Sequence, residues 1–242
     1  MKSLSRRTFL LTGSAALLAG CSTTPRSALV YSSSTRPRDL RTDPYYIGLY
    51  VAQPSEQFPL PAIDLKQIAN QRYLRQTVEF TGPEPAGTLV VDPFEKFLYL
   101  VNNDGTAMRY GVGVGRAGFG WAGDALVQYK RKWPKWTPPA EMIARQPELE
   151  KYRNGMAPGL DNPLGARALY LFSGGKDTLY RLHGTAEVWS IGRNVSSGCI
   201  RLLNQDVVDL YNRVPNHTRV IVRGAPTPTT PTASTQPPSA SA

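Results

Sequence analysis

Residues 183–201 read HGTAEVWSIGRNVSSGCIR, and the rest of the chain is best understood from them outward. The stretch holds His183, one of only two histidines, and Cys199, one of two cysteines, sixteen positions later. Glycines flank both: Gly184 follows the histidine and Gly198 precedes the cysteine. A thiol becomes a useful nucleophile when a base or cation favours its thiolate. Glycine beside it leaves room for backbone N–H groups to face a developing oxyanion with no Cβ in the way. His183 and Cys199 are therefore the candidate base and nucleophile, with a thiolate–imidazolium pair as the expected resting state.

The surrounding sequence punctuates into strands. Thr88–Val91 and Phe97–Val101 are β-rich runs, Asn103-Asp104-Gly105 is a turn signal, and Ala107–Val114 returns as a hairpin partner. Gly111, Gly113, Gly115, Gly118, Gly120 and Gly123 follow, without the Lys-Ser/Thr of a phosphate-binding loop, and read as strand edges and turns. Ala168–Phe172 and Thr178–His183 are further strands, so His183 is expected at a strand end. Ile200–Leu202 leads into a helix over Asn204–Tyr211, with Asn204 as its N-cap and Asp206 in its first turn. Arg219–Val222 is the last strand. Short helices are expected over Leu65–Arg75 and Glu141–Tyr152. The run Lys130–Pro139, KRKWPKWTPP, reads either as a cap walled by Trp133 and Trp136 or as a proline-stiffened loop whose tryptophans bury against the sheet; the second reading is preferred. The fold class expected is mainly β.

With 242 residues there is room for one ordinary domain plus extensions, and 21 Gly with 21 Pro favour turns and strands over a helical bundle. The net charge is +10. No aromatic-basic nucleic-acid motif accompanies it, so nucleic acid is not an expected partner. Residues 1–20 read as a signal peptide: Ser5-Arg6-Arg7-Thr8-Phe9-Leu10 resembles a twin-arginine signal, and the apolar run Leu10–Ala19 is too short to span a bilayer. Leu18-Ala19-Gly20-Cys21 matches the lipobox of bacterial lipoproteins, which implies lipid on Cys21 and an exported protein anchored in the envelope, facing the periplasm. Acylation of Cys21 leaves Cys199 as an unpaired thiol in an oxidising compartment, a liability unless it has chemistry to do. Residues 21–45 read as a flexible tether, 46–85 as an ordered lead-in and 224–242 as a disordered Pro/Thr/Ser tail. His217 lies in a turn, and His183, His217 and Cys199 at their spacings do not make a zinc site; neither metal nor organic cofactor is expected.

The combination His183-Gly184-Thr185, Ile191-Gly192 and Ser196-Ser197-Gly198-Cys199-Ile200-Arg201-Leu202 resembles the signature of the L,D-transpeptidase catalytic domain (YkuD type), in its envelope-associated bacterial branch. Asn162-Pro163-Leu164-Gly165, Asp206 and Leu210-Tyr211 extend the likeness, over roughly residues 86 to 223. Ser197 stands where many relatives have His. The resemblance implies a β-sandwich with a short helix after the catalytic cysteine, acting as a monomer. It implies acyl transfer on peptidoglycan stem peptides: Cys199 attacks the carbonyl before D-Ala at position four, and an amine takes the acyl group, either from another stem or from a wall-attached lipoprotein or outer-membrane protein. It assigns orientation of His183 to the Gly184 carbonyl and the oxyanion to N–H groups at Gly198 and Cys199. Arg201, Ser196, Ser197 and Thr185 are the substrate-binding candidates, with an internal salt bridge as the alternative for Arg201. The same residues suit an L,D-carboxypeptidase that uses water, and the fold also suits a non-catalytic wall-binding lipoprotein.

Overall fold

The computed structural model describes residues 38–115, 121–195 and 199–225. The signal segment, Cys21, most of the tether, Ser196, Ser197, Gly198 and the tail from 226 lie outside the described residues. The compact unit begins at Asp39.

Helical turns start inside the stretch read as tether. Asp39 caps a 3₁₀ turn over Leu40–Thr42, and Asp43 caps helix α1 (Pro44–Leu49) by accepting from the Tyr45 N–H. Both caps use the same device, an aspartate side chain on an otherwise unpaired N–H of the first turn. The helix expected over Leu65–Arg75 is instead two separate 3₁₀ turns, Leu65–Gln67 and Gln71–Tyr73, each capped by its own Asx residue, Asp64 and Asn70. Two nearby caps divide what periodicity alone reads as one helix.

Among the described residues eleven strands follow: β1 (Gln76–Glu79), β2 (Leu89–Asp92), β3 (Phe97–Val101), β4 (Thr106–Gly111), β5 (Gly113–Gly115), β6 (Gly123–Lys132), β7 (Arg167–Ser173), β8 (Lys176–Thr185), β9 (Asn194–Val195), β10 (Ile200–Leu203) and β11 (Arg219–Val222). Helix α2 (Ala140–Arg145) precedes β7, and Pro147 separates it from a 3₁₀ turn over Pro147–Tyr152. Helix α3 (Asn204–Arg213) follows β10 directly. The strands hydrogen-bond in the order β1-β4-β3-β2-β11-β6-β7-β8-β10-β5-β9. β4 and β5 are separated only by Val112, yet stand far apart in that order. One extended stretch therefore joins the two regions, and the sheet must curl over itself. Leu89, Leu98, Tyr110, Val112, Val127, Leu169, Leu171, Leu182, Ile200 and Val220 share a single buried core, as a sheet folded face to face requires. The mainly-β expectation holds.

Two smaller clusters cover the ends. Tyr50, Leu65, Ile68 and Leu74 pack with Ile191 and Leu203. Leu60 packs with Trp133, Ala166 and Val208. Trp133 is 4% exposed and donates its Nε1–H to Glu56 at 2.9 Å, while Trp136 meets Tyr152 edge to face. Trp133 is thus part of the packing and does not wall a groove. Glu56 also takes Arg167 through two short hydrogen bonds, 2.9 and 2.6 Å, so residues N-terminal to the sheet are fastened to β7 by a bidentate pair.

Candidate active site

The order β8-β10 brings the two chemical residues together. The strands are parallel, with Leu182 opposite Ile200 and Arg201 opposite His183. Alternation sends Leu182, Ile200 and Leu202 into the main core. Arg181, His183 and Arg201 occupy the other face, and Cys199, one residue before β10, continues that row beside Arg181. The 186–199 connection is the crossover a parallel pair needs. It returns the chain to the neighbouring strand, so residues sixteen apart in sequence share one face of adjoining strands.

His183 is 3% exposed. Its Nδ1 is 2.7 Å from the carbonyl oxygen of Gly184. An oxygen that only accepts requires Nδ1 to carry the hydrogen, so Nε2 is the basic nitrogen of the neutral ring. Burial lowers the pKa of His183 to about 4; the Gly184 carbonyl opposes this, and the charges of Arg201 and Arg181 reinforce it. The ring is neutral at neutral pH.

The backbone beneath the ring is fixed by two glycines and an asparagine. A Cβ on Gly184 would lie 2.2 Å from Asn204 Oδ1, and one on Gly165 2.4 Å from the same atom. Asn204 Oδ1 accepts from the Ala166 N–H at 3.0 Å, and Gly184 N–H donates to Leu164 O at 3.1 Å. The expected N-cap role of Asn204 is thereby corrected: Leu203 is the N-cap of α3, without a side-chain cap bond, and Asn204 is turned inward to hold the β7 entry. Asn162 secures the same turn. Its Oδ1 accepts from Leu164 N–H, and its Nδ2 donates to the carbonyls of Pro134 and Ala157. The Asn162-Pro163-Leu164-Gly165 motif supports the histidine strand from below.

Cys199 is a free, half-buried thiol. Burial raises its pKa; a backbone hydrogen bond from Arg181 and the charges of Arg181 and Arg201 pull the other way. The resting thiolate–imidazolium pair expected from sequence is therefore not what the site favours. Desolvation holds both partners neutral, since neither charge is matched by enough polar contact. The two arginines sit where they can stabilise negative charge once it forms.

Arg201 is ion-paired to Glu187, which lies in the same crossover. Its guanidinium is thus held by the protein itself, and it ties the loop to β10. Thr185 is buried, and its hydroxyl accepts the Glu187 N–H at 3.0 Å. Ser196, Ser197 and Gly198 lie outside the described residues. His217 is an exposed turn residue in the left-handed region (φ 66), with its N–H on Val127 O. It is remote in sequence and register from the β8-β10 row. Among the described residues no group of three His, Cys, Asp or Glu could hold a metal.

Sequence reasoning passed over Arg181, Glu187 and Tyr180, although Arg181 was within reach: it precedes His183 by two in a strand, so period two puts both on one face. Tyr180 stacks on Trp121 at 5.0 Å, and burial raises the pKa of its phenol, which a thiolate at Cys199 would raise further.

A family model described as the L,D-transpeptidase catalytic domain (YkuD) matches residues 86–222. Probable L,D-transpeptidase YbiS of Escherichia coli K12 is 35% identical over 138 residues, which cover 54% of this chain and 43% of YbiS. Probable L,D-transpeptidase YcfS of the same organism is 38% identical over 125 residues, 48% of this chain and 37% of YcfS. The chain thus spans less than half the length of these curated relatives. A solved chain from Brucella melitensis, described as a probable carnitine operon oxidoreductase caia, is 48% identical; the match covers 62% of this chain and 93% of that one, with a TM-score of 0.46.

Proposed function

The chain belongs to the L,D-transpeptidase catalytic-domain family, and from that premise we propose that it is a cysteine acyltransferase acting on peptidoglycan stem peptides. The observation that carries the reading is the buried, neutral His183, with Nδ1 committed to the Gly184 carbonyl, on the same face of adjoining strands as Cys199. Neutral Nε2 takes the thiol proton as Cys199 Sγ attacks the carbonyl before D-Ala at position four. The oxyanion is met by N–H groups at Gly198 and Cys199, in the field of Arg181 and Arg201. The C–N bond breaks, His183 returns its proton to the leaving amine, and D-Ala departs with the acyl group held as a thioester. An acceptor amine attacks the thioester, loses its proton to His183 and displaces the thiolate, which recovers that proton. The scheme balances without metal or redox cofactor. The acceptor is a second stem, giving a 3-3 cross-link, or an amine of an envelope protein.

The experiment is product analysis. Walls are exposed to the purified protein, digested and weighed. Release of D-Ala with tripeptides joined through a new amide, absent with Cys199→Ala, is the expected outcome. Free tripeptide alone would mean that water is the acceptor, and unchanged walls would leave a non-catalytic binder. The proposal extends to location: lipid on Cys21 anchors the protein in the envelope facing the periplasm. Cys21→Ser is expected to shift it to the soluble fraction or block its processing, and unchanged membrane attachment would contradict this.

A further inference from the structure

The segment before residue 86 lies outside the stretch matched by the family model, yet it reaches the active-site crossover. The contact is made by Tyr73. Its ring lies where a side chain on Gly192 would be: a Cβ there would stand 2.3 Å from Tyr73 Cε2 and 2.7 Å from Cδ2 and Cζ. Gly192 also has φ +81, so it is glycine on both steric and conformational grounds. The backbone of Tyr73 lies equally close to Gly111, whose Cβ would fall 2.3 Å from Tyr73 O.

These two glycines open the rails on which the nucleophile loop rests. Gly192 N–H donates to Val112 O, Val114 N–H to Arg193 O, and Gly115 N–H to Cys199 O. Gly192, Arg193 and Cys199 are thus laced to the β4–β5 stretch, and Tyr73 is wedged at the first of these hydrogen bonds. The wedge is itself braced. Tyr73 meets the Phe97 ring at 5.5 Å, and the Arg72 guanidinium lies 4.8 Å from the Phe97 centroid and is paired with Glu95 at 2.6 Å. Behind it, Ile68 and Leu74 pack with Ile191, next to Gly192, and with Leu203, beyond Cys199. Tyr50 donates its hydroxyl hydrogen to Asp206 and accepts the Arg75 N–H, tying the same segment to the helix after β10.

We infer that Tyr73 is a positioning residue for the nucleophile: its ring, packed on Gly192, fixes the middle of the 186–199 crossover and hence the place of Cys199 relative to His183. The inference rests on the reading of Cys199 as nucleophile. It is a claim about the ring, so Tyr73→Phe preserves the function and Tyr73→Ala removes it.

The test uses the full chain, with two probes read at the Cys199 peptide by mass. Iodoacetamide reports thiol ionisation across pH, and a carbapenem reports acylation. In Tyr73→Ala the carbapenem rate is expected to fall about 10–100-fold, the scale of a misplaced reacting group. The pH profile of alkylation is expected to move from its raised position toward that of an ordinary thiol, pKa about 8.5, as the loop leaves its buried seat. Tyr73→Phe should match the wild type on both. Should Tyr73→Ala fail to fold, Tyr73→Leu keeps the apolar bulk without the flat ring and is expected to show the same displacement. A folded Ala or Leu variant with wild-type profile and rate would overturn the inference even if its melting temperature fell, and so would a Phe variant as defective as Ala. Wild-type protein whose Cys199 alkylates but takes no carbapenem would count against the transpeptidase reading, while the alkylation profiles still decide the role of Tyr73.

Discussion

His183 is pulled in two directions. A dry surround disfavours its charged form, the Gly184 carbonyl on Nδ1 favours it, and burial wins, bringing the pKa from 6.5 to about 4. This has a sign that stability measurements can read. Above the unfolded value of 6.5 both states hold a neutral ring and the full stability is present. As the pH falls toward 4, the unfolded chain binds a proton that the folded chain refuses, and stability is lost. A shift of this size corresponds to about 3 kcal/mol. Asp206 works oppositely: burial raises it to about 7, so acidification through that region favours the fold. Comparing wild type with His183→Ala cancels the Asp206 contribution. Denaturant unfolding at neutral pH and near pH 4 should show the wild type losing up to about 3 kcal/mol more than the variant; equal losses would contradict the assignment of a buried neutral ring. His183 and Cys199 stood out in the sequence as candidates, because a rare His and a rare Cys each stood beside glycine. Their protonation was not, because it is set by how many other atoms exclude water from them.

At the scale of elements, strand alternation and turn residues were readable, and β2, β3, β7, β8 and β11 stand within a few residues of their expected places. The misreadings cluster where a side chain had two possible partners. Asn204 before an apolar helix is an N-cap by local rules; in the fold its Oδ1 turns to the Ala166 N–H because Gly165 and Gly184 leave space for it. That choice depends on a partner 38 residues away, which no local pattern reveals. Asn204→Ala should leave the buried Ala166 N–H unsatisfied and cost about 1–3 kcal/mol. The same change is expected to slow acylation of Cys199, because the backbone under His183 loses its brace. Urea unfolding and carbapenem kinetics on one preparation check both, and a variant with unchanged stability would show that Asn204 fills space without holding the turn.

For the whole molecule, the sheet is one object in which the two ends of the strand order are joined by the β4–β5 stretch, with Gly192, Arg193 and Cys199 hydrogen-bonded along it. Parallel pairing of β8 with β10 was beyond reach of the sequence, since register between distant strands is a tertiary property. That pairing is what puts His183 and Cys199 on one face of adjoining strands. The central claim, that Cys199 is the nucleophile and His183 its base, is tested most directly by the rate of covalent carbapenem adduct formation, followed by intact mass, in wild type, Cys199→Ala, His183→Ala and His217→Ala. An adduct is expected in wild type, none in Cys199→Ala, a near-wild-type rate in His217→Ala, and a folded His183→Ala slowed by about 10²–10⁴-fold. An adduct that persists without Cys199, or a His183→Ala that reacts as fast as wild type, would contradict it.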